Sequence, residues 1–172
     1  MLKILRQIAS IGIVTESAPR ADDALRVSEA LNERVRDILG RALCIRHVDA
    51  GSCNGCELEI HAVNNPIYNI EGLGIRFVAS PRHADLLLVT GPVSRHMEIA
   101  LRRTFDAMPD PKLVVAIGDC GCTGGIFGES YASCGRVANV IPVDVVVPGC
   151  PPSPTRILEG ILAAISRSAP TR

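Results

Sequence analysis

The sequence predicts an α/β fold with a mainly parallel sheet and helices on both faces. Of the 172 residues, 47% are hydrophobic but only 3% are aromatic, and Trp is absent. The core must therefore consist of Val, Ile, Leu and Ala, as in parallel strands that are buried on both faces. Five short apolar runs have the length and the β-branched content of strands. Most are separated by segments long enough for a crossover helix, and this alternation favours a parallel sheet.

The predicted elements follow one another in a regular order. Apolar residues alternate with charges over residues 22–39, which predicts an amphipathic helix that ends at Gly40. The predicted strands are residues 43–48, 75–79, 86–90, 113–117 and 143–147. The predicted helices are residues 57–63, 95–108 and 154–166. No repeat or domain boundary is visible after residue 21, so we expect residues 22–172 to form one domain.

Residues 1–21 do not resemble part of the core. Leu2, Leu5 and Ile8 recur at near-helical spacing, with basic residues between them. Two interpretations stay open, a frayed terminus and a docking segment for a partner or a membrane-facing surface. We expect the docking segment.

Charge and hydropathy exclude several classes of function. Eighteen basic residues balance eighteen acidic ones, so nothing indicates a nucleic-acid partner. The apolar runs are too short to span a bilayer. The seven cysteines are odd in number, and residues 1–15 lack the pattern of a signal peptide. A reducing compartment is expected, where clustered cysteines indicate metal or redox chemistry rather than disulfides.

Five of the cysteines follow the ends of predicted strands. Cys53 and Cys56 follow the first strand, Cys120 and Cys122 follow the fourth, and Cys150 follows the fifth. Ligands of an open α/β sheet bind beyond the carboxyl ends of its strands, so these residues should converge there. Four thiolates hold an iron–sulfur cluster. The sequence therefore predicts one such cluster at this edge of the sheet.

The residues around these cysteines suit a cluster. Asn54-Gly55 within CNGC allows the backbone to curl. The glycines of GDCGCTGG, residues 118–125, are expected to expose backbone N–H groups to sulfide. Prolines on both sides of Cys150 stiffen its loop.

The residues alone leave the fourth ligand open between Cys120 and Cys122, with Cys120 favoured because it lies nearer the strand end. Cys44 is expected to be a core residue, and Cys134 follows a polar stretch that does not suit a ligand. A zinc site and plain buried cysteines are the alternatives to a cluster. Zinc sites usually have two close cysteine pairs, and this chain has one. A bound flavin would need the place that the cysteines take.

Four segments resemble a known family, the small iron–sulfur subunits of respiratory complex I and of membrane-bound, energy-converting nickel–iron hydrogenases. They are CNGCELEI, SPRHADLLLVTGPV, AIGDCGCTGGIFG and VDVVVPGCPPSPTRILEG. The resemblance runs from about Cys44 to Ile165, and the order CxxC, GxCxxxG, GCPP is highly specific.

The resemblance implies a flavodoxin-like fold and one 4Fe–4S cluster at the carboxyl ends of the strands. It assigns the ligand roles to Cys53, Cys56, Cys120 and Cys150 and leaves Cys122 outside the set. Complex I subunits typically have two adjacent cysteines in the first motif. CNGC has the spacing of the hydrogenase branch, and the sequence is most similar to the formate hydrogenlyase type.

The function implied by the resemblance is that of an oxidoreductase subunit with no complete active site and no catalytic residue of its own. It would relay single electrons to the large catalytic subunit of a membrane-associated nickel–iron hydrogenase, next to a ferredoxin-like iron–sulfur subunit. Contact with membrane subunits would be indirect, on the cytoplasmic side. The alternative is the equivalent subunit of an NADH– or ferredoxin–quinone oxidoreductase. A zinc-stabilised structural module is a third hypothesis.

Other polar residues have weaker interpretations. Glu57 and Glu59 are expected to be helix-start carboxylates, with a proton relay as the alternative for Glu59. Arg82 and His83 form either a polar turn or a contact with the large subunit. The remaining histidines, which have no second ligand at metal spacing, are expected to be structural or at the surface: His47, His61 and His96.

Overall fold

The computed structural model describes residues 40–168 without a gap and a few positions before them. Those positions are Arg6, Ser10, Arg26, Glu29, Ala30, Asn32, Glu33, Val35 and Asp37. The predicted docking segment (residues 1–21) and most of the predicted helix over residues 22–39 lie outside the described residues. Val35 is buried in the core.

The described part of the chain contains a sheet of five parallel strands and four α-helices. The strands are β1 (Leu43–Asp49), β2 (Ile75–Phe77), β3 (Leu86–Thr90), β4 (Leu113–Ile117) and β5 (Val145–Val147). The helices are α1 (Gly55–Val63), α2 (Arg95–Asp106), α3 (Gly118–Thr123) and α4 (Pro154–Ser168). Short 3-10 turns cover Ile70–Leu73, Pro81–His83 and Val137–Asn139.

The strand order is β2-β1-β3-β4-β5, which is the flavodoxin-like order. The predicted fold class is therefore confirmed. Asp49 pairs with Thr90, Thr90 with Ile117, and Ile117 with Val147. These four residues end their strands, so the chain leaves the sheet at one level and its loops meet at one edge.

Two hydrophobic cores cover the two faces of the sheet. Because side chains alternate along a strand, Leu86 and Leu88 face one core, and Leu87 and Val89 face the other. The first core also includes residues of α1 and α4, and the second includes Leu101 of α2. The aliphatic composition thus supplies a sheet that is buried on both faces, as predicted.

The structure corrects the predicted elements at three places. Strand β2 ends at Phe77, two residues early, and β5 begins only at Val145. Just before β5, the carboxylate of Asp144 accepts the backbone N–H of Val114 at 2.8 Å, where a strand would have used a carbonyl. The glycine-rich segment after β4 was predicted as a loop but forms α3, whose Gly121 is buried close to β3 and β4. Glycine content argues against a helix, and these tertiary contacts outweigh it.

No helix in the described part of the chain is long and apolar enough to cross a membrane.

Candidate functional site

The loops that follow the aligned strand ends carry the four predicted cysteines. Cys53 lies in the loop between β1 and α1, and Cys56 lies in the first turn of α1. Cys120 lies in α3, directly after β4, and Cys150 follows β5 by three residues. Cys53 and Cys150 are exposed, whereas Cys56 and Cys120 are half-buried.

Local hydrogen bonds shape the first cysteine loop. Asp49 Oδ1 accepts the backbone N–H groups of Gly51 and Ser52, both at 2.8 Å. Ser52 Oγ accepts the N–H of Asn54 at 3.1 Å. Asn54 has a φ of 71°, a left-handed conformation that Asn tolerates better than most residues. The sharp turn brings Cys56 back towards the sheet edge, as the CNGC motif predicted.

Asp119 joins the Cys120 and Cys150 loops. Its backbone N–H donates to the carbonyl of Gly149 at 2.8 Å, and its Oδ1 accepts the N–H of Gly149 at 2.8 Å. This reciprocal pair links the residues that immediately precede the two cysteines. The sequence analysis assigned no role to Asp119; the acid in the GDC motif, next to a cysteine, is the signal that was available.

Two glycines leave room for the thiols. A Cβ added to Gly118 would lie 2.6 Å from Cys56 Sγ, and one added to Gly125 would lie 2.8 Å from Cys120 Sγ. Real Cβ atoms do not approach sulfur this closely, so a side chain at either position would displace a thiol. Both glycines also have positive φ, +82° and +56°, which disfavours other residues.

The four thiols are close enough to act on one another electrostatically. Burial first, and the negative charge of Glu57 second, raise the pKa of Cys56 to about 12. Ionised Cys53, Cys120 and Cys150 contribute in the same direction. Burial is likewise the main cause that raises the pKa of Cys120, followed by the charges of Cys150 and Cys53. Four thiolates at this edge therefore repel each other unless a cation lies among them.

The other three cysteines point elsewhere. The thiol of Cys122 donates to the carbonyl of Ala116 at 3.7 Å, and burial raises its pKa to about 11. Cys134 is buried, and its thiol donates to Glu98 Oε2 at 3.3 Å. Cys44 is buried at the beginning of β1, at the other end of the sheet.

One expectation about the glycine-rich segment is wrong. The N–H of Gly124 donates to the carbonyl of Cys120 at 2.9 Å, and the N–H of Gly125 donates to Thr123 Oγ1 at 3.3 Å. Because the turn that ends α3 already uses these groups, they are not free to bind sulfide. The glycines serve close packing instead.

The donor set fits a cluster. No group of three or more His, Cys, Asp or Glu side chains among the described residues is arranged to hold one metal ion. In a 4Fe–4S site each thiolate binds a different iron, so the four sulfurs need only surround a common space. Four neighbouring thiols, with glycines where a Cβ would displace two of them, meet this requirement.

A polar cavity beside this edge was not predicted. It encloses about 280 Å³ between α1 and the sheet, and Arg46, His47, Glu57 and His61 are among its lining residues. Glu57 is only 8% exposed, and neither carboxylate oxygen has a hydrogen-bond partner within the described chain. The spacing of Glu57 and Ile60, three residues apart on the buried face of α1, was the signal that was available.

His47 lies between this cavity and β3. Its Nε2 is 3.0 Å from Thr90 Oγ1 and 3.8 Å from Glu57 Oε1. Burial lowers the pKa of His47, although the charge of Glu57 acts in the opposite direction. The neutral ring is therefore favoured, and His47 has a structural role in β1, in line with its interpretation from the sequence.

The remaining polar candidates lie apart from the thiols. Glu59 is half-buried on α1, and His96 is exposed on α2. Arg82 and His83 line a pocket next to Arg41, which lies just before β1. That pocket is at the amino ends of the strands, on the side of the sheet opposite the cysteines.

Comparison with known proteins identifies the family. Residues 53–164 match the family of the NADH ubiquinone oxidoreductase 20 Kd subunit. The chain belongs to this family. The matched region begins at the first cysteine of CNGC and includes all four predicted ligand positions. The resemblance seen in the motifs is thus confirmed.

Relatives in this family come from both hydrogenases and quinone oxidoreductases. The chain is 47% identical to the probable membrane-bound hydrogenase subunit mbhJ of Pyrococcus furiosus, covering 76% of this chain and 78% of the relative. It is 40% identical to formate hydrogenlyase subunit 7 of Escherichia coli, covering 86% of this chain but only 60% of that protein. It is 44% identical to a subunit of the NADH-quinone oxidoreductase of Desulfovibrio desulfuricans, covering 72% and 66%.

A solved structure also matches. A chain from the membrane-bound sulfane sulfur reductase, an archaeal respiratory membrane complex, has a TM-score of 0.64 and 32% identity. The match covers 81% of this chain and 77% of that chain. The protein is therefore an oxidoreductase subunit of the kind found in hydrogenase and NADH–quinone oxidoreductase complexes.

Proposed function

We propose that this chain is the electron-transfer subunit of a membrane-associated nickel–iron hydrogenase of the formate hydrogenlyase or related energy-converting type. One observation carries the proposal: four thiols from three loops meet at one edge of the sheet, in a chain whose relatives include hydrogenase subunits. The alignment of the strand ends brings these loops together.

Cys53, Cys56, Cys120 and Cys150 would hold one 4Fe–4S cluster through their thiolates. Such a cluster, when bound, supplies one-electron transfer to the large catalytic subunit. The chain's own residues supply the frame. Gly118 and Gly125 leave space for the sulfurs, and Asp119 joins two of the loops.

Exposure of the thiols determines how a partner can approach. Cys53 and Cys150 are exposed, so one side of the site is open at the protein surface. A large nickel–iron subunit that packs on this side would come within short range of the site, and electron transfer requires a short distance. A ferredoxin-like iron–sulfur subunit would be the other electron partner. With these partners the chain would lie at the cytoplasmic side of the membrane, without spanning it.

The first motif supports the hydrogenase branch. CNGC places two residues between its cysteines, as the hydrogenase branch does, whereas complex I subunits typically have adjacent cysteines. A second candidate, the equivalent subunit of a quinone oxidoreductase, is favoured by the 44% identity to the Desulfovibrio protein. Both candidates need the same four thiols and differ in the catalytic subunit.

The test is to purify the intact complex through an affinity tag on this chain and to assay both reactions. We expect hydrogen evolution from reduced ferredoxin or viologen, no quinone reduction, and nickel in the co-purified large subunit. The Cys150→Ser variant should lose hydrogen evolution, and the matched Cys134→Ser variant should keep it. Quinone reduction without nickel would refute the hydrogenase assignment and leave the second candidate.

A further inference from the structure

A cationic pocket, here called the arginine pocket, lies at the amino ends of the strands, opposite the candidate cluster site. It encloses about 320 Å³, and its charged lining is Arg41, Arg76, Arg82, His83 and Asp85. Three guanidinium groups thus share the pocket with one carboxylate. The chain as a whole has a formal net charge of zero, so this excess is local.

Asp85 does not neutralise the pocket, because other groups already occupy its carboxylate. Arg41 Nη1 donates to Oδ2 at 3.1 Å, and Arg41 Nη2 donates to Oδ1. The backbone N–H of Cys44 also donates to Oδ2, at 3.0 Å. One arginine therefore consumes the single negative charge, and the charges of Arg76 and Arg82 are left over.

Arg76 and Arg82 have no carboxylate of their own. Among residues 40–168, neither forms an ion pair, and both side chains are exposed. The Nε of Arg76 donates only to Cys44 Sγ, at 3.4 Å, and thiol sulfur is a weak acceptor. Two planar donor groups therefore face a cavity without an anion. Guanidinium groups match carboxylates and phosphates in this geometry.

We propose that the arginine pocket docks an acidic segment, with neighbouring Asp or Glu side chains, of a partner subunit. Charge complementarity supports an anionic occupant, and Pro109 is the one apolar side chain among the remaining lining residues. Family membership supports a protein occupant, since the relatives are subunits of multisubunit complexes. The position leaves the cysteine edge free, so one chain can contact two partners at opposite edges of its sheet.

The proposal holds for either catalytic partner, because it does not depend on the reaction. It can therefore fail while the proposed function stands, and the reverse is also true. Its test is the composition of the complex, whereas the proposed function is tested by nickel content and turnover.

The first experiment compares two double charge reversals in the intact complex, purified through a tag on this chain at increasing salt. Arg76→Glu with Arg82→Glu alters the pocket, and Arg103→Glu with Arg156→Glu alters two exposed arginines elsewhere. We expect the pocket variant to retain about tenfold less of one partner subunit at moderate salt. The control should retain the wild-type amount. Equal retention in both variants would overturn the proposal.

A milder variant covers the case in which charge reversal prevents folding. Arg76→Gln with Arg82→Gln removes the charges but adds none, and its thermal unfolding transition should match that of the wild type. It should still release the partner subunit at lower salt than the control does. A folded Gln variant that holds all subunits at every salt concentration would contradict the docking of an acidic segment.

A second experiment identifies the occupant. A photo-crosslinking residue in place of Arg82, in the assembled complex, should capture a partner peptide that contains neighbouring Asp or Glu residues. Crosslinks confined to this chain would overturn the proposal. So would binding of the wild-type complex, but not of the pocket variant, to phosphatidylglycerol vesicles with all subunits retained, because the anion would then be a lipid phosphate.

Discussion

The two edges of the sheet use the same residue type in different ways. At the amino edge, the thiol of Cys44 is buried and lies between the carbonyl of Ala42 and the guanidinium of Arg76. At the carboxyl edge, four thiols from three loops lie next to one another, and two of them are exposed. Cys44 lies on strand β1, and the loop that follows this strand carries Cys53. Position relative to the strand ends, rather than the number of cysteines, therefore separates a core residue from a candidate ligand.

The glycines show the same contrast. Gly118 has a φ of +82°, and a Cβ there would lie 2.6 Å from a thiol sulfur. Gly40, before β1, has a φ of +58° with nothing within 4 Å of an added Cβ. At the carboxyl edge glycine meets both a backbone and a packing requirement, and near the amino edge it meets the backbone requirement alone.

The largest expected effect is loss of the cluster on replacement of a carboxyl-edge cysteine. Cys150→Ser or Cys53→Ser should abolish the intact cluster, because four thiolates hold it. Cys44→Ser should leave it present, since that thiol lies at the other edge. Iron and sulfide content per chain measures both variants. Full content in Cys150→Ser would refute the ligand assignment.

The next effect is on packing around the thiols. Gly118→Ala should destabilise the chain by more than the roughly 1–2 kcal/mol that a left-handed non-glycine residue costs, because its Cβ also displaces Cys56 Sγ. It should lower iron content as well. Gly40→Ala, the control, should cost about the backbone term alone. Urea unfolding measures both, and equal losses of stability would remove the proposed role of Gly118.

Asp119 should have a smaller effect on stability. Asp119→Ala removes the acceptor for the N–H of Gly149 and should cost about 1–3 kcal/mol. Hydrogen exchange of the Gly149 amide should become faster, because the loop before Cys150 loses its link to α3. Asp106→Ala, at the exposed end of α2, is the control. An unchanged exchange rate at Gly149 would show that the link is not needed.

A pH effect should distinguish Cys56 in the metal-free chain. Its pKa is raised from 9.0 to about 12, so the folded state keeps the thiol proton at a pH where the unfolded state releases it. Its contribution to stability is therefore complete below pH 9 and is lost as the pH rises from 9 towards 12. Urea unfolding at a series of pH values measures this loss in Cys56→Ser and in the wild type.

Glu57 is the charge that acts on Cys56 from the next position. Glu57→Gln should lower the pKa of Cys56, because it removes a charge that raises it. Alkylation of Cys56, followed by mass spectrometry of its peptide, should then reach half its maximal rate at a lower pH. Glu59→Gln is the matched control on the same helix. A shift of equal size in both variants would contradict the specific effect of Glu57.

The smallest expected effect is that of Cys122→Ser. The thiol of Cys122 donates to Ala116 at the carboxyl end of β4, and a serine hydroxyl can replace that donor. Iron content should not change. Loss of the cluster in this variant, with retention in Cys120→Ser, would exchange the two assignments.

The sequence predicted β3 and β4 to the residue, because each is a continuous apolar run with clear ends. The cysteine edge was also predictable, since parallel strands end together and the cysteines follow those ends. Helix α3 was not, because its glycines disfavour a helix and only contacts with β3 and β4 explain it. The buried state of Glu57 and the link from Asp119 to Gly149 depend on tertiary neighbours that local patterns do not record.

The most direct test of the central claim is the iron, sulfide and zinc content of the anaerobically purified chain, with an EPR spectrum after reduction by dithionite. About four irons and four sulfides per chain, with a signal in the reduced state, are expected if the carboxyl edge holds one 4Fe–4S cluster. One zinc and no sulfide in a properly assembled complex would contradict the account, and the four thiols would then form a structural site.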